Sequence, residues 1–188
     1  MKKIKHTYQS MEGWFNMENE YLELLEQCPD GGTFVELGCF KGKSTSFIVT
    51  EIINQNRPID FVAVDSFEGA TDSNDSKEVE AYKEISDIEK DFDKNTKLMS
   101  HNFSKVKSLS HEAANLFDDS SVDICFIDAG HSYEAVKKDI ESWLPKMKKG
   151  GVISGHDYNA WEGVNKAVNE LVGTPDKINN DCWFKKVI

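Results

Sequence analysis

Apolar side chains recur in this chain with two alternating periods, and their order predicts an α/β fold. Tyr21, Leu22, Leu24, Leu25 and Cys28 follow helical spacing until Pro29-Asp30-Gly31-Gly32 breaks the run. Thr33-Phe34-Val35-Glu36-Leu37 is then a short β-prone segment ending in Gly38, and residues 44–56 place Thr45, Ile48 and Ile52 on one helical face. Phe61-Val62-Ala63-Val64 and Val122-Asp123-Ile124-Cys125-Phe126-Ile127 have the near-continuous apolarity of parallel strands covered on both faces. Each ends in an aspartate, Asp65 and Asp128. Between them the chain turns polar, yet Val79, Tyr82, Ile85, Ile88 and Phe92 still mark one helical face, so residues 69–103 read as a helical insertion or lid.

The rest of the chain repeats the alternation. Residues 105–109 read as a short strand and 111–117 as a helix. Ser132 can cap a helix with Tyr133, Val136, Ile140, Trp143 and Leu144 on its inner face, and Pro145 disfavours its continuation. Gly150-Gly151 resets the chain before Val152-Ile153-Ser154-Gly155, a strand leading into His156-Asp157. Residues 163–171 read as a helix, and residues 182–188 are β-rich. The expected architecture is one domain over residues 1–188: a doubly wound, mostly parallel sheet of Rossmann-like type with an antiparallel C-terminal edge strand. Ligands bind such sheets beyond the carboxyl ends of the strands, where the strand order reverses. Glu36, Asp65, Asp128, His131, His156 and Asp157 all fall at strand ends of that kind.

Composition narrows the partners. A formal charge of −11 opposes a long contact with nucleic-acid phosphates, and a neutral or cationic small molecule fits better. Cys28, Cys39, Cys125 and Cys182 lie far apart with no Cys-x-x-Cys pair, as in a reduced chain without a structural zinc site. The N-terminal residues lack the apolar stretch of a signal peptide, and no segment reaches the roughly 18 apolar residues of a membrane span. A cytoplasmic protein is the expectation.

The most informative stretch is Val35-Glu36-Leu37-Gly38-Cys39-Phe40-Lys41-Gly42-Lys43-Ser44. Gly38 and Gly42 allow close backbone approach by a ligand, but the spacing is neither the dinucleotide fingerprint nor a phosphate loop. A tight strand-to-helix connection would also require glycine for steric reasons alone. Glu36, two residues before Gly38, suits an ammonium group, and Asp65 can accept two ribose hydroxyls from the end of the next strand. Together they suggest a nucleoside without phosphates.

This segment resembles the first motif of class I S-adenosylmethionine-dependent methyltransferases, most of all the catechol O-methyltransferase-like branch. Gly13-Trp14, Ile127-Asp128-Ala129-Gly130-His131-Ser132-Tyr133 and Gly150-Gly151-Val152-Ile153-Ser154-Gly155-His156-Asp157 extend the likeness to the bacterial and phage "methyltransferase domain" family, from Gly13 to about Val172. The resemblance implies S-adenosylmethionine as cofactor, with Glu36, Gly38, Phe40, Gly42 and Ser44 around its methionine part and Asp65 on the ribose. It also implies Ser110 and His111 beside adenine and Asp128 near the transferred methyl. The insertion departs most from the family core.

By the same resemblance, His131 stands where catechol-type enzymes place a catalytic lysine. An imidazole there suits a general base, or else it caps the following helix. Asp128, His156 and Asp157 occupy the three positions that hold magnesium in catechol-type and macrocin-type sugar O-methyltransferases. Because His156 replaces a carboxylate, magnesium, manganese, zinc, or no metal and a simple hydrogen-bonded pair all stay open. Trp14 and Phe15 either close over a ligand or staple the first helix, and Trp161 is a candidate wall for the acceptor. The expected reaction is methyl transfer to a hydroxyl of a sugar or other small molecule. Two other readings are an NAD-dependent oxidoreductase and a non-catalytic nucleoside-binding module.

Overall fold

A computed structural model describes residues 3–69 and 87–188. The helical positions expected at Val79, Tyr82 and Ile85 lie outside the described residues. The elements are α1 (Glu18–Gln27), β1 (Thr33–Leu37), α2 (Lys43–Gln55), β2 (Asp60–Asp65), α3 (Ile88–Thr96), β3 (Ser104–Lys107) and α4 (Ser110–Ala113). They continue with β4 (Val122–Ile127), α5 (Tyr133–Trp143), β5 (Met147–Gly155), α6 (Glu162–Leu171), β6 (Lys177–Asn179) and β7 (Cys182–Lys186). The seven strands form one sheet in the order β3-β2-β1-β4-β5-β7-β6. The first five strands in that order pair in parallel, and β7 is antiparallel to both β5 and β6.

Side chains alternate across a strand, so an all-apolar strand feeds two hydrophobic layers at once. Phe34, Phe61, Ile124 and Phe126 face one layer with Tyr21, Leu24 and Leu25 of α1, Phe47 and Ile48 of α2, and Phe92 of α3. Val35, Leu37, Val64, Cys125 and Ile127 face the other, with Val136, Ile140 and Trp143 of α5 and Val164, Ala167 and Val168 of α6. Burying each large side chain is worth roughly 1.5–3 kcal/mol. The first layer is knit by rings: Tyr21 lies 4.7 Å from Phe126 and Phe34 5.2 Å from Phe61. All four cysteines are free and buried.

Three details differ from the sequence expectation. Gly150-Gly151 does not restart the chain. β5 already begins at Met147, opposite Val122, and the glycines take up a register shift before Val152 pairs with Ile124. Gly151 is needed there because a Cβ would lie 2.7 Å from the Asp123 carbonyl oxygen. The C-terminal strand β7 is antiparallel as expected, but the short β6 pairs outside it and holds the edge. Residues 111–117 form one α-turn followed by a 3-10 turn rather than a full helix.

Because β1 lies between β2 and β4, the strand order reverses beside it. The carboxyl ends of β1, β2, β4 and β5 meet at that switch and bring together Gly38, Asp65, Asp128 and His156.

Candidate active site

The bend after β1 is fixed by contact with β4. Gly38 has φ +85°, and a Cβ there would sit 1.9 Å from the Asp128 carbonyl oxygen, so only glycine lets the two strand ends approach. Asp65 clamps the same bend from the side. Its Oδ2 accepts from the backbone N–H groups of Cys39 and Phe40, each at 2.7 Å, and its Oδ1 accepts from Phe67 N–H at 2.7 Å. Burial pushes the Asp65 carboxyl above its ordinary range, opposed by those three amides. Three of the roughly four acceptor positions of this carboxylate are thereby used, which leaves room for one ribose hydroxyl rather than the expected two.

Glu36 and Gly42 do not reach the cavity, contrary to the expectation for both. Glu36 is fully buried: Tyr21 Oη donates to its Oε1 at 2.7 Å and Thr45 Oγ1 to its Oε2 at 2.5 Å. Burial raises its proton affinity, and bonds from Ser44, Thr45 and Tyr21 oppose the rise. A carboxylate occupied in this way supports the bend from behind. Gly42 backs onto α3, where an added Cβ would meet Phe92 and Thr96 at 2.9 Å. Its glycine serves helix packing.

The other expected residues share one cavity of about 800 Å³. Gly38, Phe40, Ser44, Asp65, Ser110, His111 and Asp128 line it together with His131, His156, Asp157 and Trp161. Its remaining wall includes Gly13, Trp14, Phe15, Asn16 and Met17. Phe15 also packs into the core and lies 5.3 Å from Tyr21, so it staples the chain entrance. Trp14 is 71% exposed and leans on Phe40 at 5.4 Å. At the opposite wall the Ser110 hydroxyl donates to Asp139, and the Ser110 carbonyl accepts from Trp143 Nε1 at 2.9 Å, which fixes α4 against α5.

Beyond Asp128 the cavity ends in a two-histidine, one-aspartate arrangement. His131 Nε2 lies 3.0 Å from Asp157 Oδ2, and His156 Nδ1 lies 3.3 Å from Asp157 Oδ1. The His131 ring is stacked on Trp161, 4.9 Å between centroids and 11° from parallel. Burial works to raise the Asp157 pKa, but the two imidazoles outweigh it and hold the carboxyl well below the usual carboxylate range. Burial disfavours charge on His156, yet its bond to Asp157 and the nearby Asp128 and Asp181 carboxylates raise its pKa overall. Asp157 itself has φ +62°, a left-handed conformation uncommon outside glycine and typical of constrained sites.

His131 and His156 are thus partnered and only one-fifth exposed, unlike the solvent-facing histidines a passive binding module would present. Asp181 was missed by sequence reasoning. It follows Asn180 in a left-handed turn between β6 and β7 and converges with His156 and Asp157, donor atoms within 4.8 Å of one another. Asp128, His131 and Asp157 form a second such set. Both mix imidazole nitrogen with carboxylate oxygen, which suits manganese or zinc better than the oxygen-only shell of magnesium.

A glycine bend and strand-end acid at the switch of a doubly wound sheet, opening toward a histidine–aspartate centre, define an α/β protein with its ligand cavity at the strand ends. Residues 35–158, about two thirds of the chain, match the family described as "Methyltransferase domain", and the chain belongs to that family. Membership implies S-adenosylmethionine as methyl donor. Over 185 residues the chain is 28% identical to a protein of Acanthamoeba polyphaga mimivirus, a match covering 91% of this chain and 74% of that one. A 72-residue stretch is 36% identical to protein y4gI of Sinorhizobium fredii; it covers 35% of this chain but only 8% of y4gI. Among solved structures, the O-methyltransferase NovP superposes with a TM-score of 0.74 at 16% identity, over 90% of this chain and 78% of NovP. At that identity the likeness is one of fold. No helix of the described residues is long and apolar enough to cross a membrane.

Proposed function

We propose that the chain transfers a methyl group from S-adenosylmethionine to a hydroxyl oxygen of a small molecule or sugar. In this reading the cofactor's methionine part lies along Gly38, Phe40 and Ser44, its ribose meets Asp65, and its adenine lies by Ser110 and His111. The sulfonium methyl then points toward Asp128. The observation that carries the reading is that His131, held by Asp157 and stacked on Trp161, lines the same cavity as the glycine bend. The acceptor oxygen attacks the methyl carbon, the carbon–sulfur bond breaks with its electrons going to sulfur, and the hydroxyl proton passes to His131 Nδ1 while Nε2–H keeps its bond to Asp157 Oδ2, which balances the imidazolium charge. Sulfonium is already a good leaving group, so holding the two reactants in line is the larger part of the protein's work. At about 800 Å³ the cavity is near the top of the usual range for ligand sites, roughly 300–1,000 Å³, and suits a cofactor plus a small acceptor.

The donor sets Asp128–His131–Asp157 and His156–Asp157–Asp181 are also chemically fitted to a divalent cation such as manganese or zinc. Bound there, such an ion would lower the acceptor hydroxyl's pKa. With or without it, Trp161 and Asp157 fix the His131 ring, and the net charge of −11 favours a neutral or cationic acceptor.

The first test is calorimetry with S-adenosylhomocysteine, followed by a radiolabelled methyl-transfer screen over hydroxylated acceptors. With an acceptor found, His131→Ala and Asp157→Asn are expected to lower kcat by about 10²–10⁴-fold. S-adenosylhomocysteine affinity should stay within about twofold, because that end of the cavity is built by other elements. Absence of binding heat with both the methylated and demethylated cofactor would refute the proposal.

A further inference from the structure

Lys41 lies inside the glycine motif, yet its side chain points away from the cavity and only 6% of the residue is exposed. An ammonium group so enclosed requires close counter-charges. It has two, from different parts of the chain: Glu12 Oε2 at 2.6 Å and Asp91 Oδ2 of α3 at 3.0 Å. Its backbone carbonyl accepts from Asn95 Nδ2 at 2.8 Å, so α3 holds both ends of the residue. Glu12 directly precedes residues 13–17, which form one wall of the cavity. This strap has no regular secondary structure; Phe15 and Met17 anchor its far end in the core, and few polar bonds hold its near end. Lys43 Nζ donates to the Gly13 carbonyl at 2.9 Å, Trp14 leans on Phe40, and Asn180 Nδ2 donates to the Asn16 carbonyl at 2.7 Å.

We infer that Lys41 is a positioning residue for ligand binding: by pairing with Glu12 while braced on Asp91, it seats the residue 12–17 strap against the glycine bend and so completes the cavity wall. The inference rests on the proposed cofactor placement. Neither Lys41 nor Glu12 touches the ligand; the pair sets how much of the time the wall is in place. If loss of the pair lowers the seated fraction about threefold, apparent affinity falls about threefold, because only the seated form binds, and a change of that size is within what a pair with one exposed partner supplies.

The experiment is calorimetry of S-adenosylhomocysteine binding to the full chain as wild type, Glu12→Gln, Lys41→Met and the double variant, with melting of each free protein alongside. Glu12 has a side chain 72% exposed, so Glu12→Gln should leave melting within about 2 °C of wild type. Its dissociation constant should nevertheless rise about threefold. The double variant should bind no more weakly than Lys41→Met, since both changes cut the same link. If Lys41→Met does not fold, Glu12→Gln alone decides. Wild-type affinity in Glu12→Gln would overturn the inference and leave Lys41 as a prop for α3 only, and multiplying losses in the double variant would also overturn it. A wild-type protein that binds no S-adenosylhomocysteine defeats the cofactor placement itself, an outcome distinct from both.

Discussion

Asp128 shows how far one residue's chemistry is set by its surroundings. Burial pushes its carboxyl from 3.8 up to about 7; His156 and His131 oppose the rise, while Asp157 and Glu36 add to it. Since the folded protein holds this proton more tightly than the unfolded chain, the resulting stability is full below about 4 and is lost as pH rises through about 7. Asp128→Asn should therefore flatten the fall in melting temperature between about pH 5 and pH 8. In the proposed placement the same carboxyl would couple to the cofactor's charge. S-adenosylmethionine carries a sulfonium and S-adenosylhomocysteine does not, so only the former favours the ionised carboxylate. Calorimetry in chelated buffer should find the methylated compound gaining affinity over the demethylated one from about pH 6 to pH 8, with proton release at the lower pH. A constant ratio would place the sulfonium elsewhere. At this scale the sequence was partly legible. Asp65 and Asp128 stood out as acids closing apolar strands, whereas the His131–Asp157 pair joins residues that only the adjacency of β4 and β5 brings within 3.0 Å. Glu36 was legible as an acid next to the bend but not as a buried one, because nothing local announces that Tyr21 and Thr45 have taken its oxygens.

At the scale of elements, that same Glu36 ties α1 and α2 to β1. The Tyr21 hydroxyl, on α1, bonds a carboxylate on β1 that also accepts from Thr45 on α2. Removing the hydroxyl leaves a buried charge short of a donor, which costs about 1–3 kcal/mol. For a chain of this size that is a fall in melting temperature of roughly 2–12 °C. Tyr21→Phe is therefore expected to melt earlier while S-adenosylhomocysteine affinity changes by less than about twofold, since the carboxylate supports the bend without reaching the ligand. A large affinity loss with unchanged melting would return Glu36 to the cofactor's first contacts. Elements that bury two faces were legible in the sequence: β1, β2 and β4 each show the apolar run their position demands. The first half of β5 was not. Lys148 to Gly151 carry no apolar pattern, because they lie in the register shift between the Val122–Met147 and Ile124–Val152 pairs at the partly exposed start of the strand. β6 was invisible for a related reason, being three exposed residues that need no apolar pattern to pair with β7.

The whole molecule is held together at the cavity by parts that are distant in sequence. The strand ends of β1, β2, β4 and β5, the strap at residues 13–17, and residues 109–111 all contribute to its wall. A ligand that fills it touches elements from both sides of the strand-order switch, and the free energy it contributes is shared by the cooperative fold. Any compound that binds only the folded state raises stability by RT ln(1 + [L]/Kd), about 2.7 kcal/mol at a hundred times Kd. At roughly 2–4 °C per kcal/mol for a chain of this length, S-adenosylhomocysteine at that excess should raise the melting temperature by about 5–11 °C. NAD lacks a site for its pyrophosphate at a bend without the dinucleotide fingerprint, so at equal concentration it should give no shift. The contrast tests the class of ligand independently of any acceptor. An equal rise with NAD would mean that the cavity reads only the adenosine the two compounds share, and the methionine-side contacts at Gly38, Phe40 and Ser44 would then contribute nothing to recognition.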